Sequence, residues 1–539
     1  MTYMHTWTKF VRSGAARRRS LLLLLLAALF VGSTYTTIAN AITPPATAVS
    51  ANPTRTCASL TSVPISDGTD NVTFTVAQAV SDPGASGAPA ACKVTVTATH
   101  PPAGDTENIS IWLPASGWNG RFQGTGGGGY TGGSISSLAE PLSEGYATGE
   151  TDTGHTVSGG SFALNPDGTL NWQLVQDSVL GIHEMTVAGK TLTASFYGHK
   201  ARYSYFTGCS AGTRQGITEA QQYPSDYDGV EGGSPAINVT IQRVVGLWGQ
   251  MVMQQAGDFL PQCKLDAATA AAVKACDNLD GVKDGVINDP TKCMFNPQTL
   301  VGTSTSCGTI TQTDATILKK IWQGPKDTQG NFLWYGLAMG SSLSSLNGTG
   351  TVNGQLDGMP SSLMTDWVKY FLLQNPNWDW HTLTPAQFEQ LLTQSKQEYG
   401  IVLGDNPDLT AFRNNGGKMV LWQGWSDQLL APQGATTYYD KVVDVIGGLG
   451  KTQDFARLFM APGVGHCGGG AGPQPTGQLQ ALVDWVEHGK APKTLTAQKT
   501  DPTTGNVIET RPLCAYPEVA VYKGHGDTNK ASNFDCRKS

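Results

Sequence analysis

The chain has 539 residues, of which 39% are hydrophobic and only 14% are charged, so it can bury a large core and is not a disordered protein. Its 42 acidic and 35 basic residues give a net charge of −7. This balance argues against nucleic-acid binding, which normally requires a basic face.

The N-terminus has the layout of a signal peptide. Basic residues precede the apolar run 21–31, and Ala39-Asn40-Ala41 fits an A-x-A cleavage site. The run is shorter than the ~20 residues that a membrane span needs, and no later segment is long and apolar enough to cross a bilayer. We therefore expect residues 1–41 to be removed and the mature protein to be secreted or extracytoplasmic. In an oxidising compartment its ten cysteines predict up to five disulfides.

The mature chain begins with strands and then alternates strands with helices. Apolar and polar residues alternate with the strand period first, and short apolar runs then alternate with helical segments. The strand segments are 71–76, 93–98, 109–113, 203–206, 419–422 and 458–460, and the clearest helical segments are 213–222 and 478–488. This order predicts an α/β fold with a mostly parallel sheet covered by helices.

The region 236–412 interrupts this alternation. It is helix-forming or looped and rich in tryptophan, which is typical of an insertion. We predict a lid domain here, between a first core segment (42–235) and a second one (413–539).

A G-x-S-x-G motif, Gly208 to Gly212, lies between a predicted strand and a predicted helix. In a nucleophile elbow this turn exposes the serine, and flanking glycines avoid a steric clash. Ser210 is therefore the candidate nucleophile. The motif alone is weak evidence in a chain with 65 glycines, so the strand-turn-helix context matters more.

A serine nucleophile needs a histidine base and a carboxylate, which follow the serine in the order acid, then histidine, in α/β hydrolases. Asp427 and His466 each lie just beyond a predicted strand and in this order. His155 is the rival base, but it precedes the serine. Cys209 precedes Ser210 and Cys467 follows His466, so a Cys209–Cys467 disulfide would tie the two catalytic loops together.

These residues resemble the tannase and feruloyl esterase family of secreted α/β hydrolases, which includes mono(2-hydroxyethyl) terephthalate hydrolase. The family's hallmark is a serine after a cysteine, an aspartate, and a histidine before a cysteine, matched here by Cys209-Ser210, Asp427 and His466-Cys467. The resemblance spans about 57–536. It implies an α/β-hydrolase fold with a large inserted lid domain, and a carboxylic ester hydrolase acting on a small aromatic ester.

An acidic loop lies in the predicted lid, with carboxylates every three or four residues and glycines between them. Such a loop suits Ca²⁺, which takes six to eight oxygen ligands. The spacing is not that of an EF-hand. An acidic solvated loop is the alternative. The resemblance implies a structural Ca²⁺ ion held by the side chains of Asp277, Asp280 and Asp284 and the carbonyls of Val282 and Val286. Cys276 and Cys293 bracket this loop and would close it.

The other cysteine pairs follow by proximity and exclusion as Cys57–Cys92, Cys514–Cys536 and, least firmly, Cys263–Cys307. For the oxyanion hole we expect the amide of Ala211 and an amide of the loop 126–129, which is similar to the family's loop. Gly128 is the first choice and Gly127 a near equal. A flexible linker is the alternative for that glycine run. It also formally satisfies the dinucleotide-binding G-x-G-x-x-G at 124–129, but no helix pattern follows it.

The expected chemistry is acyl transfer through an acyl-enzyme. The family implies esters of hydroxycinnamic or gallic acids, with a terephthalate half-ester as the alternative. A half-ester would require an arginine for its free carboxylate, and the sequence alone does not place Arg243 or Arg413 in the pocket. Phe412 and the tryptophans of 236–412 are candidates for stacking on the ring or for the core. A non-catalytic, calcium-stabilised secreted binding domain is the hypothesis from a different class. The sequence does not give the oligomeric state.

Overall fold

The computed structural model describes residues 52–84, 89–402 and 404–538. The expected signal peptide, residues 1–41, lies outside them. None of the helices in these ranges combines the length and apolar character required to cross a membrane.

The strands, in chain order, are β1 (Thr73–Asp82), β2 (Ala91–Thr99), β3 (Glu107–Pro114), β4 (Arg121–Thr125), β5 (Ala147–Thr151), β6 (Tyr203–Cys209), β7 (Gly229–Gly233), β8 (Ser304–Thr305), β9 (Gly308–Thr309), β10 (Thr349–Val352), β11 (Gln355–Gly358), β12 (Lys418–Gly424), β13 (Ala456–Ala461), β14 (Gln474–Thr476), β15 (Thr494–Thr500), β16 (Val507–Cys514), β17 (Glu518–Tyr522) and β18 (Phe534–Lys538).

The α-helices are α1 (Ala139–Ser143), α2 (Trp172–Tyr197), α3 (Ala211–Gln222), α4 (Val239–Val245), α5 (Trp248–Ala256), α6 (Gln262–Cys276), α7 (Gln312–Gln323), α8 (Ser344–Asn347), α9 (Ser362–Asp366), α10 (Pro385–Glu398), α11 (Thr410–Asn414), α12 (Gln433–Ile446), α13 (Leu449–Gln453) and α14 (Gln478–His488). A π-helical turn, Trp367–Leu372, continues α9.

The described residues form a central sheet of nine strands in the order β1-β2-β3-β5-β4-β6-β7-β12-β13. Strands β1, β2 and β3 are antiparallel to their neighbours, and the six strands β5, β4, β6, β7, β12 and β13 run parallel to one another. The alternating residues of β2 bury Val94 and Val96, as the strand period requires. All the strand and helix segments predicted from the sequence are confirmed, with ends shifted by a few residues.

Helices cover both faces of this sheet. On one face α2 and α3 bury side chains such as Met185 and Ile217. On the other face α14 buries Leu482 and Trp485 against Tyr205 of β6. This strand order with helices on both faces is the expected α/β-hydrolase arrangement, in which ligands bind at the carboxyl ends of the parallel strands.

The chain leaves the sheet after β7 and returns at β12, which pairs with β7. Between them lie helices α4 to α11 and two short hairpins, β8–β9 and β10–β11, which the sequence did not predict. These elements contribute to a second hydrophobic cluster that includes Leu247, Ile317 and Phe388. The lid boundaries at 236 and 412 remain a prediction.

Five disulfides join the cysteines in the expected pairs, which are Cys57–Cys92, Cys209–Cys467, Cys263–Cys307, Cys276–Cys293 and Cys514–Cys536. No cysteine in the described ranges is free. Such a complete set of disulfides is typical of an oxidising compartment.

Candidate active site

Ser210 occupies a strained turn between β6 and α3. Its backbone has φ 60° and ψ −118°, outside the regions that side-chain-bearing residues prefer, which costs about 1–3 kcal/mol. The two motif glycines make this turn sterically feasible. A Cβ on Gly208 would lie 2.6 Å from the backbone of Gly212, and a Cβ on Gly212 would lie 2.8 Å from the carbonyl oxygen of Gly127. The turn therefore has the strand-turn-helix form of a nucleophile elbow.

Asp427 follows the end of β12 and is fully buried. Its Oδ1 accepts hydrogen bonds from the backbone N–H groups of Leu429 and Leu430, both at 2.9 Å. Its Oδ2 accepts from the Gln423 side chain at 3.0 Å and lies 2.9 Å from His466 Nδ1. A buried carboxylate needs such partners, because an unpaired buried charge is strongly destabilising.

His466 lies in the glycine-rich loop that follows β13. Its Nδ1 faces Asp427, and its backbone N–H donates to Gln428 Oε1 at 3.0 Å. An ionised carboxylate can only accept, so Nδ1 carries the proton and Nε2 is left with a lone pair. His466 and Ser210 line the same cavity, but in the described chain no hydrogen bond joins them. Catalytic hydrogen bonds are often long in a protein without substrate.

The Cys209–Cys467 disulfide connects the residue before Ser210 with the residue after His466. Cys467 also has a positive φ, 57°, and its backbone N–H donates to Ser234 Oγ at 3.0 Å. The disulfide thus holds two strained residues together, because Cys467 is one of its two cysteines and Ser210 follows the other. Strain of this kind persists only where the surrounding structure imposes it, and it concentrates at functional sites.

A cavity of ≈440 Å³ opens beside these residues. Its size is within the range of small-ligand sites. The lining combines the catalytic candidates and glycine loop with mostly aliphatic side chains and Arg243: Gly126, Gly127, Gly128, Gly129, Cys209, Ser210, Ala211, Ala236, Val239, Gln242, Arg243, Leu363, Met364, Leu429, Leu430, His466 and Cys467.

The two expected oxyanion-hole glycines differ in their hydrogen bonding. The N–H of Gly127 donates to Gln215 Oε1 at 3.0 Å, whereas the N–H of Gly128 has only a long contact of 3.3 Å with Thr131 Oγ1. Gln215 also donates to the carbonyl of Gly132 at 3.0 Å, so its side chain holds the loop at two points. Gly128 is therefore the freer of the two donors.

The acidic loop is ordered around its first carboxylate. Asp277 Oδ1 accepts from the backbone N–H groups of Asp284, Gly285 and Val286 at 3.1, 2.9 and 3.3 Å. One carboxylate oxygen therefore fixes the fold of the loop.

The loop's donor set fits a hard divalent cation, because the expected ligands are all carboxylate or carbonyl oxygens. In the described chain the carboxylate oxygens of these three aspartates do not all lie within 4.8 Å of one another. Arg511 donates to Asp284 Oδ2 at 2.7 Å, so one of the expected ligand atoms already has a cationic partner.

The acidic loop also contacts the loop that carries His466. A Cβ on Gly463 would lie 2.8 Å from the Val286 side chain. Residues from both loops, including Ile287 and Gly465, line a common surface pocket. The acidic loop therefore lies against the histidine loop.

Several alternatives from the sequence do not belong to this site. His155 stacks on Phe162 at 3.7 Å and does not line the Ser210 cavity. Gly126 and Gly129 of the G-x-G-x-x-G match line that cavity, and the match does not open a helix. Phe412 is buried in the core, as is Trp367. Neither Phe412 nor any of the described tryptophans lines the Ser210 cavity.

Sequence reasoning missed the glutamines that position the site, Gln215, Gln423 and Gln428, and left Arg243 without a place. Gln423 and Gln428 flank Asp427 at the end of a predicted strand, which was a usable signal. Gln215 and Arg243 are brought to the glycine loop only by tertiary packing, so no local pattern reveals them.

This chain is similar to known proteins over most of its length. The family model described as tannase and feruloyl esterase matches residues 92–537. A probable feruloyl esterase of Arthroderma benhamiae is 43% identical over 460 residues, covering 83% of this chain and 86% of the relative. The mono(2-hydroxyethyl) terephthalate hydrolase of Piscinibacter sakaiensis is 31% identical over 500 residues, covering 79% of this chain and 80% of the relative.

The crystal structure of feruloyl esterase B from Aspergillus oryzae superimposes with a TM-score of 0.74 at 28% identity, covering 87% of this chain and 97% of that one. This likeness confirms the α/β-hydrolase fold. Together with the relatives it excludes the non-catalytic binding domain. The chain therefore belongs to the tannase and feruloyl esterase family, and it is a carboxylic ester hydrolase.

Proposed function

We propose that this protein is a secreted serine esterase that hydrolyses esters of aromatic carboxylic acids through Ser210, His466 and Asp427. The observation that carries the proposal is the joint position of the three residues. Ser210 and His466 line one cavity, a disulfide ties their neighbours, and Asp427 lies 2.9 Å from the His466 ring.

The roles follow from the polar contacts of each group. His466 Nε2 removes the hydroxyl proton of Ser210 as the oxygen attacks the ester carbonyl carbon. The Asp427 carboxylate stabilises the imidazolium that forms. His466 then gives its proton to the departing alcohol, which leaves Ser210 esterified. His466 then removes a proton from a water molecule as its oxygen attacks the acyl carbon, and it returns this proton to the Ser210 oxygen as the acid leaves.

The negative oxygen of each tetrahedral intermediate needs hydrogen-bond donors. We assign this role to the backbone N–H groups of Ala211 and Gly128. Ala211 is the first residue of α3, and the first amides of a helix have no partner within the helix. Gly128 is favoured over Gly127 because Gln215 already accepts from the latter. A donor of this kind is worth about 10²–10³-fold in kcat.

The aromatic acyl group is proposed from the relatives and from the cavity. The relatives named above are a probable feruloyl esterase and a mono(2-hydroxyethyl) terephthalate hydrolase. The cavity lining offers aliphatic side chains such as Val239, Leu363 and Leu430, which can cover the faces of a ring. A terephthalate-type half-ester is the second candidate, and Arg243 in the cavity lining favours it.

Hydrolysis of an ester panel tests the proposal. The purified protein is assayed with methyl ferulate, methyl gallate, mono(2-hydroxyethyl) terephthalate and a short aliphatic ester, beside Ser210→Ala. The control is Ser143→Ala, at the exposed end of α1. Turnover of an aromatic ester that Ser210→Ala abolishes and Ser143→Ala retains supports the proposal. Turnover of only the aliphatic ester refutes the substrate class, and activity in Ser210→Ala refutes the nucleophile.

We also propose a structural Ca²⁺ ion in the acidic loop. The side chains of Asp277, Asp280 and Asp284 would hold it with the carbonyls of Val282 and Val286. A bound Ca²⁺ ion would supply positive charge and fix the loop. The loop lies against Gly463 in the histidine loop and is joined through Arg511 to β16, so its order bears on the position of His466.

Export is the remaining part of the proposal. It rests on the N-terminal sequence and on the five disulfides. N-terminal sequencing of the enzyme recovered outside the cytoplasm is expected to start at Ile42. An intact Met1 would refute cleavage.

A further inference from the structure

Two buried arginines meet behind the glycine loop. Arg214 belongs to α3 and Arg243 to α4, and each is 7% exposed. Both line a small cavity of ≈40 Å³ that adjoins the Ser210 cavity through Gly129, Val239 and Arg243, which line both. Both arginines therefore border one small cavity, and the charge of Arg243 is close enough to act on Arg214.

Among the residues that the structure describes, neither guanidinium has an acidic partner. Arg214 donates to the carbonyl of Val402 at 3.4 Å, and its Nε has no hydrogen-bond partner within that part of the chain. Arg243 donates to the carbonyls of Gly129 and Leu363 at 2.9 and 3.3 Å. In the described ranges no carboxylate lies within 4.0 Å of either arginine.

The lining of the cavity supplies no counter-charge either, because none of its residues is acidic. Asp366 is near enough to influence the pKa of Tyr130, and its Oδ2 accepts from the backbone N–H of Gly160 at 3.0 Å. In the described ranges it forms no ion pair with either arginine. Burial, and secondarily the positive charge of Arg243, lower the pKa of Arg214 to about 10. A buried cation without a counter-charge is strongly destabilising, and two in one cavity are worse.

We propose that Arg214 and Arg243 together form a binding site for a monovalent anion no larger than a carboxylate group. The volume sets the size limit, because ≈40 Å³ accommodates on the order of three water-sized groups. Guanidinium groups suit the role, since they bind carboxylates and other anions through paired N–H donors.

The anion has two conceivable sources with the same chemistry. Arg243 also lines the Ser210 cavity, so the free carboxylate of a bound half-ester can reach it; this source rests on the proposed function. The other source is dissolved chloride. Either anion would act next to the glycine loop, because Arg243 binds the carbonyl of Gly129 and lies 4.4 Å from the ring of Tyr130.

The first test needs no substrate. Thermal unfolding is measured in sodium chloride and in sodium gluconate, whose anion is too large, at equal ionic strength. Chloride binding to the folded protein raises Tm, by about 1 °C when the chloride concentration is ten times its dissociation constant. We expect this rise in the wild type and no rise in Arg243→Gln or Arg214→Gln. Arg202→Gln, which removes the charge of an exposed arginine, is the control and is expected to show the rise.

The second test compares monomethyl terephthalate with methyl benzoate, which differ only in the free carboxylate. If the substrate supplies the anion, the wild type prefers the carboxylate ester by at least about tenfold in kcat/KM, as expected for a charge-assisted pair worth 1.5–3 kcal/mol. Arg243→Gln loses this preference and Arg202→Gln keeps it. Chloride then raises KM for the carboxylate ester alone.

The outcomes separate the claims. A chloride effect without substrate preference assigns the site to dissolved halide, and a preference that depends on Arg243 assigns it to the substrate. The absence of both in the wild type overturns the site. Ser210→Ala is expected to lose hydrolysis of both esters and to keep the chloride effect, so failure of the esterase proposal is distinguishable from failure of the anion site.

Discussion

Removal of the Cys209–Cys467 disulfide is expected to reduce both stability and activity. The bond closes 258 residues, for which the chain-entropy relation gives about 5.5 kcal/mol of stability at 25 °C. The Cys263–Cys307 bond already closes 44 of these residues, which lowers this value by less than about 0.3 kcal/mol. We therefore expect Cys209→Ala/Cys467→Ala to lose about 5 kcal/mol of unfolding free energy.

The effect on activity has a separate cause. Ser210 and Cys467 have φ values of 60° and 57°, and the disulfide helps to hold both strained residues. Without it the turns can relax, and a displacement of about 1 Å between Ser210 and His466 costs on the order of 10²-fold in kcat. The fall in kcat is thus a test of positioning and not of stability.

A matched double variant separates the two effects. Cys57→Ala/Cys92→Ala removes a bond that closes 35 residues away from the Ser210 cavity, so it is expected to cost about 4 kcal/mol and to leave kcat unchanged. Urea unfolding gives the free energies, and kcat is measured at 10 °C and corrected for the folded fraction by circular dichroism. If both double variants have the same corrected kcat, the disulfide does not position the catalytic residues.

Three further predictions concern single groups. Asp427→Asn is expected to lower kcat by about 10³–10⁴-fold with little change in KM, because an amide no longer selects the His466 tautomer; a loss below tenfold would contradict its role. Chelation with EGTA is expected to lower Tm and kcat, with recovery on adding Ca²⁺, whereas Asp277→Asn should not respond to Ca²⁺; an unchanged Tm in both would refute the ion. Burial raises the pKa of Glu150 to about 7, above its unfolded value. The protonated carboxyl group therefore contributes folding stability at low pH, and this contribution is lost as the pH rises through about 7. Glu150 is 4% exposed, so between pH 5 and 8 this loss is about 2–3 kcal/mol. Glu150→Gln is expected to reduce the difference between urea midpoints at the two pH values, and an unaltered difference would contradict the assignment.

The parts of the fold that the sequence predicted are those set by local periodicity. Strand β2 alternates buried and partly buried residues because its pleat has a period of two, and α14 begins and ends at the predicted residues. The elbow was visible because its glycines are required where Gly212 approaches Gly127. Asp427 and His466 could also be predicted, because each follows the end of a predicted strand. They come after the serine in the order that α/β hydrolases use.

The parts that were not predicted depend on contacts between distant segments. The short hairpins β8–β9 and β10–β11 contain too few residues to show a period. Arg243 belongs to the predicted lid, and only the packing of α4 brings it to Gly129. Of the aromatic residues considered for the pocket, Phe412, Trp322, Trp334 and Trp367 proved to be core residues, because apolarity alone does not separate the two environments.

The central claim is that Ser210 is the nucleophile of this esterase, and covalent labelling tests it most directly. The protein is incubated with a fluorophosphonate, which transfers phosphorus to an activated serine, and the product is analysed by intact mass and by peptide mapping. We predict one equivalent of label on Ser210, no label in Ser210→Ala and much slower labelling of Asp427→Asn. Label on another serine, or equal labelling of Ser210→Ala, would contradict the assignment.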